Sequence, residues 1–149
     1  MASIADRTIL VTGGNRGIGR ALVEEALDRG AALVYVGTRE PLAHADARVT
    51  PLMLDVTDAA QIQAAAAAVG SLDVLVNNAG IWLFDDLSDR AALERHLAVN
   101  FFGTYSVIQA FLPLLVRSAG AIVNNLSLNA LAPSRSHRPT RSPRRPRSP

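Results

Sequence analysis

The sequence predicts an α/β fold, a doubly wound parallel sheet with helices on both faces. Three observations predict it. Short, almost continuously apolar segments recur along the chain, as in strands buried on both faces. Segments with helical apolar spacing separate them. A glycine-rich turn ends the first apolar segment and opens the first helix. Strands and helices that alternate in this way wind a parallel sheet through right-handed crossovers.

Each element has its own signal. Residues 8–12 (TILVT) form a β-rich run that ends at Gly13. Residues 18–29 have helical spacing, closed by Gly30 as a stop. Residues 32–37 (ALVYVG) are a second buried strand, and a polar loop with Pro41 follows. Residues 49–54 (VTPLML) are a third strand, which Pro51 assigns to an edge or a late start. Residues 57–69 are an alanine-rich helix, with Thr57 expected as its N-cap. Residues 72–76 (LDVLV) are a fourth strand. Residues 88–98 and 101–118 are helical, with a kink or wide turn expected at Pro113. Asp85 and Asp86, just before them, are expected as cap and first-turn charges. Residues 121–126 (AIVNNL) are a fifth strand. The expected sheet order is 3-2-1-4-5.

Length and composition narrow the function. The 149 residues suit one domain with a real core. Apolar residues make up 49% and charged residues 19%, a globular balance. The absence of cysteine excludes disulfides, zinc–thiolate clusters and thiol nucleophiles. His44, His96 and His137 have no partner at ligand spacing, so no metal is expected. No run of eighteen apolar residues and no signal-peptide pattern occur, so a cytoplasmic protein is expected. All fifteen basic residues are arginine, and six lie in residues 134–149. Residues 1–133 carry nine arginines against thirteen acids, a net charge of −4. The expected organisation is therefore a globular domain over 1–133 and a disordered Arg/Ser/Pro tail over 134–149. That tail has no aromatic residue for base stacking and the domain is acidic, so nucleic acid is not the expected partner.

Two motifs carry chemistry. TGGNRGIG (12–19) follows a strand and opens a helix. Gly13 permits the tight turn, Gly17 lets the backbone approach a pyrophosphate, and Gly19 lets helix and strand pack closely. The helix N-terminus then offers free N–H groups and positive dipole to phosphate. NNAG (77–80) ends the fourth strand, next to the first across the switch point where open α/β sheets bind ligands.

With these motifs the sequence resembles the short-chain dehydrogenase/reductase family over about residues 6–133. TGGNRGIG matches that family's TGxxxGxG loop, and LDVLVNNAG matches its NNAG segment. VNFFGT carries Asn100 where the family has an active-site asparagine. GAIVNNLS puts Ser127 at the catalytic serine, and LDVTD puts Asp55 at the adenine-binding aspartate. The resemblance implies a Rossmann-type fold with later strands missing, and homo-oligomers among intact members. It implies that Gly13, Arg16, Gly17 and Ile18 cradle the pyrophosphate. Asp55, with Val56 beside it, would bond adenine; capping the next helix is the alternative for Asp55. Asn78, Ala79 and Gly80 would line the cofactor ribose. Phe101, Phe102, Phe111, Leu114 and Leu115 would face solvent in part, because a family helix that covers the long helix is missing.

Charge favours NADP over NAD. An acid at the end of the second strand would accept from the 2′-hydroxyl of NAD. Here GTRE places Arg39 near that point, and Arg16 projects from the glycine loop. Two guanidiniums suit a 2′-phosphate. Glu40 taking the hydroxyl, or Arg39 as a solvated surface charge, are the alternatives.

The resemblance also implies hydride transfer between a nicotinamide and a small alcohol or carbonyl. It requires a tyrosine thirteen residues after the serine and a lysine four residues later. Those positions hold Thr140 and Arg144. The only tyrosines are Tyr35 and Tyr105, both expected in packing, and the chain has no lysine. Trp82 is expected either at the substrate mouth or in the core. The chain is thus expected to lack turnover, and a non-catalytic dinucleotide-binding module is the alternative function. A tail of arginine, serine and proline is what a GC-rich gene yields out of frame. With permissible codons, residues 138–149 read from the third base give AYSVSKAAAFS, which contains Tyr-x-x-x-Lys. A chain truncated or frameshifted after Pro133 is the expectation.

Overall fold

A computed structural model of the protein describes residues 3–83 and 89–127. In chain order it contains β1 (Thr8–Thr12), α1 (Gly17–Asp28), β2 (Leu33–Thr38), β3 (Val49–Met53), α2 (Ala59–Ala68) and β4 (Val74–Asn77). Then come α3 (Arg90–His96), a π-helical segment (Leu97–Gly103), α4 (Thr104–Ser118) and β5 (Ala121–Asn124). The strands form one five-stranded sheet in the order β3-β2-β1-β4-β5. Every pairing is parallel. Sheet order and fold class are those expected from the sequence. β3 is an edge strand, where one row of N–H groups needs no ladder partner, and this accommodates Pro51.

Strand alternation divides the core into two layers. Ile9 and Val11 of β1 point to one face, with Val23, Ala26 and Leu27 of α1. Leu10 points to the other, with Ile62 of α2 and Val107 and Phe111 of α4. Burying each large side chain contributes about 1.5–3 kcal/mol, so helices on both faces are what keep this apolar sheet folded. The loop before β3 is tied down by Arg48, which bonds the Asp46 carboxylate and donates to the carbonyls of Leu27 and Ala31. The guanidinium and N–H of Arg48 hold the Asp46 carboxyl down at about 2.

The structure corrects four expectations. Asp58, not Thr57, caps α2, accepting from the N–H groups of Ala60 and Gln61. The helix begins at Ala59, one residue later than a Thr57 cap requires, and the Thr57 hydroxyl and N–H go to Asp55 instead. The two helices expected at 88–98 and 101–118 are one helical run with a π-helical middle, and it continues through Pro113 without a turn. Of the apolar residues expected to face solvent, Phe101 and Phe102 do, but Phe111, Leu114 and Leu115 are buried. The last three form the stripe that α4 lays on the sheet. Tyr35 packs in the core as expected, whereas Tyr105 is exposed.

Residues 90–118 are long and apolar enough to cross a membrane by length and composition, but α4 packs one face on the sheet as a core helix does. Asp85, Asp86, His137, Thr140, Arg144 and the tail lie outside the described residues, as does the expected boundary at residue 133.

Candidate functional site

The carboxyl ends of β1 and β4 are joined by side chains. Thr12 is buried, and its Oγ1 accepts from the N–H groups of Asn78 and Ala79, both at 3.0 Å. The Asn78 Nδ2 donates in return to the carbonyls of Thr12 (3.0 Å) and Gly13 (3.2 Å). Backbone that would otherwise be unpaired at the strand ends is therefore satisfied within this junction.

The glycine loop fits into it. A Cβ on Gly19 would collide with the Gly13 carbonyl and the Asn78 amide nitrogen, so no other residue permits this approach. Gly17 has φ +54°, and its missing Cβ would meet nothing within 4 Å. Open space thus lies beside the first turn of α1. That turn has no side-chain cap, whereas Asp58 caps α2 and Asp89 caps α3. Uncapped N–H groups at the positive end of a helix dipole suit an anion. The residues present therefore fit a dinucleotide diphosphate, with exposed Arg16 and Ile18 at the rim.

The neighbouring strand ends supply charged groups. Asp55 follows β3, and its Oδ1 accepts from the N–H (2.8 Å) and hydroxyl (2.7 Å) of Thr57. Burial pushes the Asp55 carboxyl up, but the two Thr57 bonds and the Arg39 charge outweigh it, and the net shift is downward. Asp55 therefore shapes the turn before α2, and Asp58 does the capping that had been its alternative role. Val56 beside it is buried. Arg16 and Arg39 are exposed, and among the described residues neither forms an ion pair. The Glu40 N–H donates to the Thr38 hydroxyl, which closes the turn after β2.

On the other side, Asn100 lies in the π-helical segment, and π turns recur at functional positions. Both ends of its amide are held by one backbone unit. Oδ1 accepts from the Ile81 N–H and Nδ2 donates to the Ile81 carbonyl, each at 2.8 Å. Gly80 leaves room for this, since a Cβ there would lie 3.3 Å from the Asn100 Oδ1. Ser127 is exposed just beyond β5. Trp82 is also exposed, which excludes the core position for it. His96 accepts from the Leu83 N–H at Nε2 and meets the Ala92 carbonyl at Nδ1, so its Nδ1 carries the proton. His44 faces Glu24 at 3.4 Å.

The structure thus ties Gly13, Asn78 and Ala79 together around Thr12, and Asn100 to the Ile81 backbone beside Gly80; Gly17 opens α1 from the same loop as Gly13, and Arg39 and Asp55 follow the adjoining strands β2 and β3. Sequence reasoning missed Thr12, Asn124 and Asn125. Asn77 and Asn124 are opposite in register, and the Asn77 Nδ2 donates to the Asn124 Oδ1 at 2.9 Å. The Asn125 Nδ2 donates to the Asn78 Oδ1 at 2.9 Å. The signal was present: two Asn-Asn pairs, each at the end of a parallel strand.

Comparison with known proteins agrees with this geometry. A family model for short chain dehydrogenases matches residues 7–138. A short chain dehydrogenase from Burkholderia cenocepacia, solved in complex with NADP, is 36% identical with a TM-score of 0.84, covering 88% of this chain and 57% of that one. One from Leptospira borgpetersenii, solved with bound NAD+, is 25% identical with a TM-score of 0.80, covering 89% of this chain and 56% of that one. The short chain dehydrogenase tazN of Aspergillus terreus is 38% identical over 137 residues, 80% of this chain and 30% of the relative. The chain therefore spans little more than half of these structures and less of that curated relative. A family match over nearly the whole length decides membership: this chain belongs to the short-chain dehydrogenase/reductase family.

Proposed function

We propose that the chain is the cofactor-binding part of an NADP-preferring, cytoplasmic oxidoreductase. The observation that carries this reading is the uncapped α1 N-terminus facing open space at Gly17, with exposed Arg16 and Arg39 nearby. Gly17 and Ile18 would hold the diphosphate through backbone N–H groups, while Gly13, whose own N–H is donated to the Gly37 carbonyl, would make the turn beneath it. Arg16 and Arg39 would pair with the 2′-phosphate, in the fork geometry that guanidinium offers. Asp55 and Val56 would border adenine, and Asn78, Ala79 and Gly80 the ribose. The bound nicotinamide would supply or accept the hydride exchanged with a small alcohol or carbonyl. Ser127 would hydrogen-bond the substrate oxygen, and Asn100 would orient the backbone around it.

This sequence offers no proton donor for that reaction. It has no lysine, and its two tyrosines lie in the core of β2 and on the outer face of α4. A positioned general acid–base group contributes about 10²–10⁴ in rate. On this reading the chain would bind cofactor without turnover; a non-catalytic dinucleotide-binding module is the alternative. A shifted reading frame after Pro133 would account for the missing pair. Sequencing the coding DNA for an alternative frame with Tyr-x-x-x-Lys tests that part.

Calorimetric titration with NADPH and NADH tests the rest. Arg39→Asp is expected to weaken NADPH more than NADH, by about 1–3 kcal/mol for a charge-assisted contact. Equal losses for both would remove Arg39 from phosphate recognition. Clear turnover of a ketone, aldehyde or alcohol panel, abolished by Ser127→Ala, would mean that another proton donor exists.

A further inference from the structure

The Asn78 side chain stands between two parts of the fold that the chain separates by more than a hundred residues. Its Nδ2 holds the carbonyls of Thr12 and Gly13, the first residues of the glycine loop. Its Oδ1 accepts from the Asn125 Nδ2 at 2.9 Å. An amide used at both ends cannot rotate without breaking bonds at both ends. The loop and the carboxyl end of β5 therefore share one hinge point.

β5 needs such a tie. Its four residues are exposed, and its ladder runs along β4 alone. The Asn125 N–H continues that ladder to the Asn77 carbonyl at 2.9 Å, and the Asn77–Asn124 amide pair lies one residue earlier. Ser127 is two residues further on.

From this bridge we infer that Asn125 is a positioning residue: it couples occupancy of the glycine loop to order at the end of β5, and so to the placement of Ser127. The inference rests on the dinucleotide reading of the loop. A ligand that orders Thr12–Gly19 fixes the two carbonyls and with them the Asn78 amide. The Asn78 Oδ1 then presents a fixed acceptor to Asn125. Ordering at one site lowers the ordering cost at the other, and the effect is reciprocal.

Amide hydrogen exchange over residues 121–127 tests this, with and without saturating NADPH, and with NADH in parallel. The wild-type chain is compared with Asn125→Ala and Asn125→Asp, which both lack the N–H donor. In the wild type the dinucleotide is expected to slow exchange at the end of β5 by about 2–10-fold, the range for one neutral hydrogen bond. In both variants that slowing disappears and affinity falls by the same factor. A merely structural role would leave the cofactor-dependent difference intact, whatever it did to the melting temperature. Full slowing in both variants, or no slowing in a wild-type chain that binds, overturns the coupling. A wild-type chain that binds neither dinucleotide overturns the reading of the loop and the coupling with it.

Discussion

The two sides of the sheet differ sharply. β1 and β2 are buried along almost their whole length, between α1 on one face and α2 and α4 on the other. All four residues of β5 are exposed, including Ile122 and Val123. The same contrast divides the helical run. Phe111 of α4 is fully buried, whereas Phe101 and Phe102 of the π-helical segment, more than two turns before it, are 61% and 57% exposed and pack edge to face on each other. The side that holds the glycine loop is thus a closed structure, and the side that carries Ser127 is held mainly by its ladder and its asparagine pairs. Two standards of order thus coexist in one sheet.

The contrast predicts unequal costs. Phe111→Ala should destabilise the fold by about 3–5 kcal/mol, as for a large side chain lost from a core. Phe102→Ala should stay within about 0.5 kcal/mol, as for a surface change. Urea unfolding of both variants measures the difference. Equal costs would mean that the outer face of the helical run is covered in solution.

The junction between the two sides offers a smaller test. Ala119 ends α4 at φ 51°, a left-handed conformation that costs an alanine about 1–2 kcal/mol. The glycine stands one residue later, at Gly120, where a Cβ would crowd the Asp73 carbonyl. Ala119→Gly should therefore stabilise by about 0.5–1 kcal/mol, after the larger unfolded-chain entropy of glycine is subtracted. A raised denaturation midpoint with an unchanged slope is the expected result.

The smallest effect concerns the closed side and pH. Asp46 has its folded carboxyl lowered to about 2 from 3.8, chiefly by the Arg48 side chain. A lowered carboxyl contributes stability above its unfolded value, and the contribution is lost as pH falls through the folded value. Asp46→Asn should therefore melt below the wild type at pH 7, and the gap should close between about pH 4 and pH 2. Melting curves at pH 7, 4 and 2 check it. A gap that persists at pH 2 would assign the difference to something other than this carboxylate.

Much of the fold was legible because its causes are local. Apolar strands, helical spacing, the edge proline at Pro51 and the stop at Gly30 each follow from sterics or period within a few residues. The glycine loop was legible too, since Gly13, Gly17 and Gly19 meet needs that a short segment sets for itself. The helix caps were less so. Thr57 and Asp58 are both good cap residues, and only the folded start of α2 at Ala59 shows that Asp58 is the cap while Thr57 closes the Asp55 turn.

What tertiary structure alone decided depends on partners far apart in the chain. The π turn at Asn100 aims its amide at Ile81, and the buried stripe of α4 begins only where the sheet lies beneath it. Neither is visible in a helical period, because a period shows that one face is apolar but not where along the helix a partner waits. The asparagine pairs show the limit best. Asn77, Asn78, Asn124 and Asn125 are plain in the sequence, yet their bonds exist only because β4 and β5 run parallel in one register. A one-residue slip would turn those side chains to opposite faces. The sequence by itself determined the glycine loop and its turn; the register of two strands decided which asparagines join that loop's junction to the end of β5.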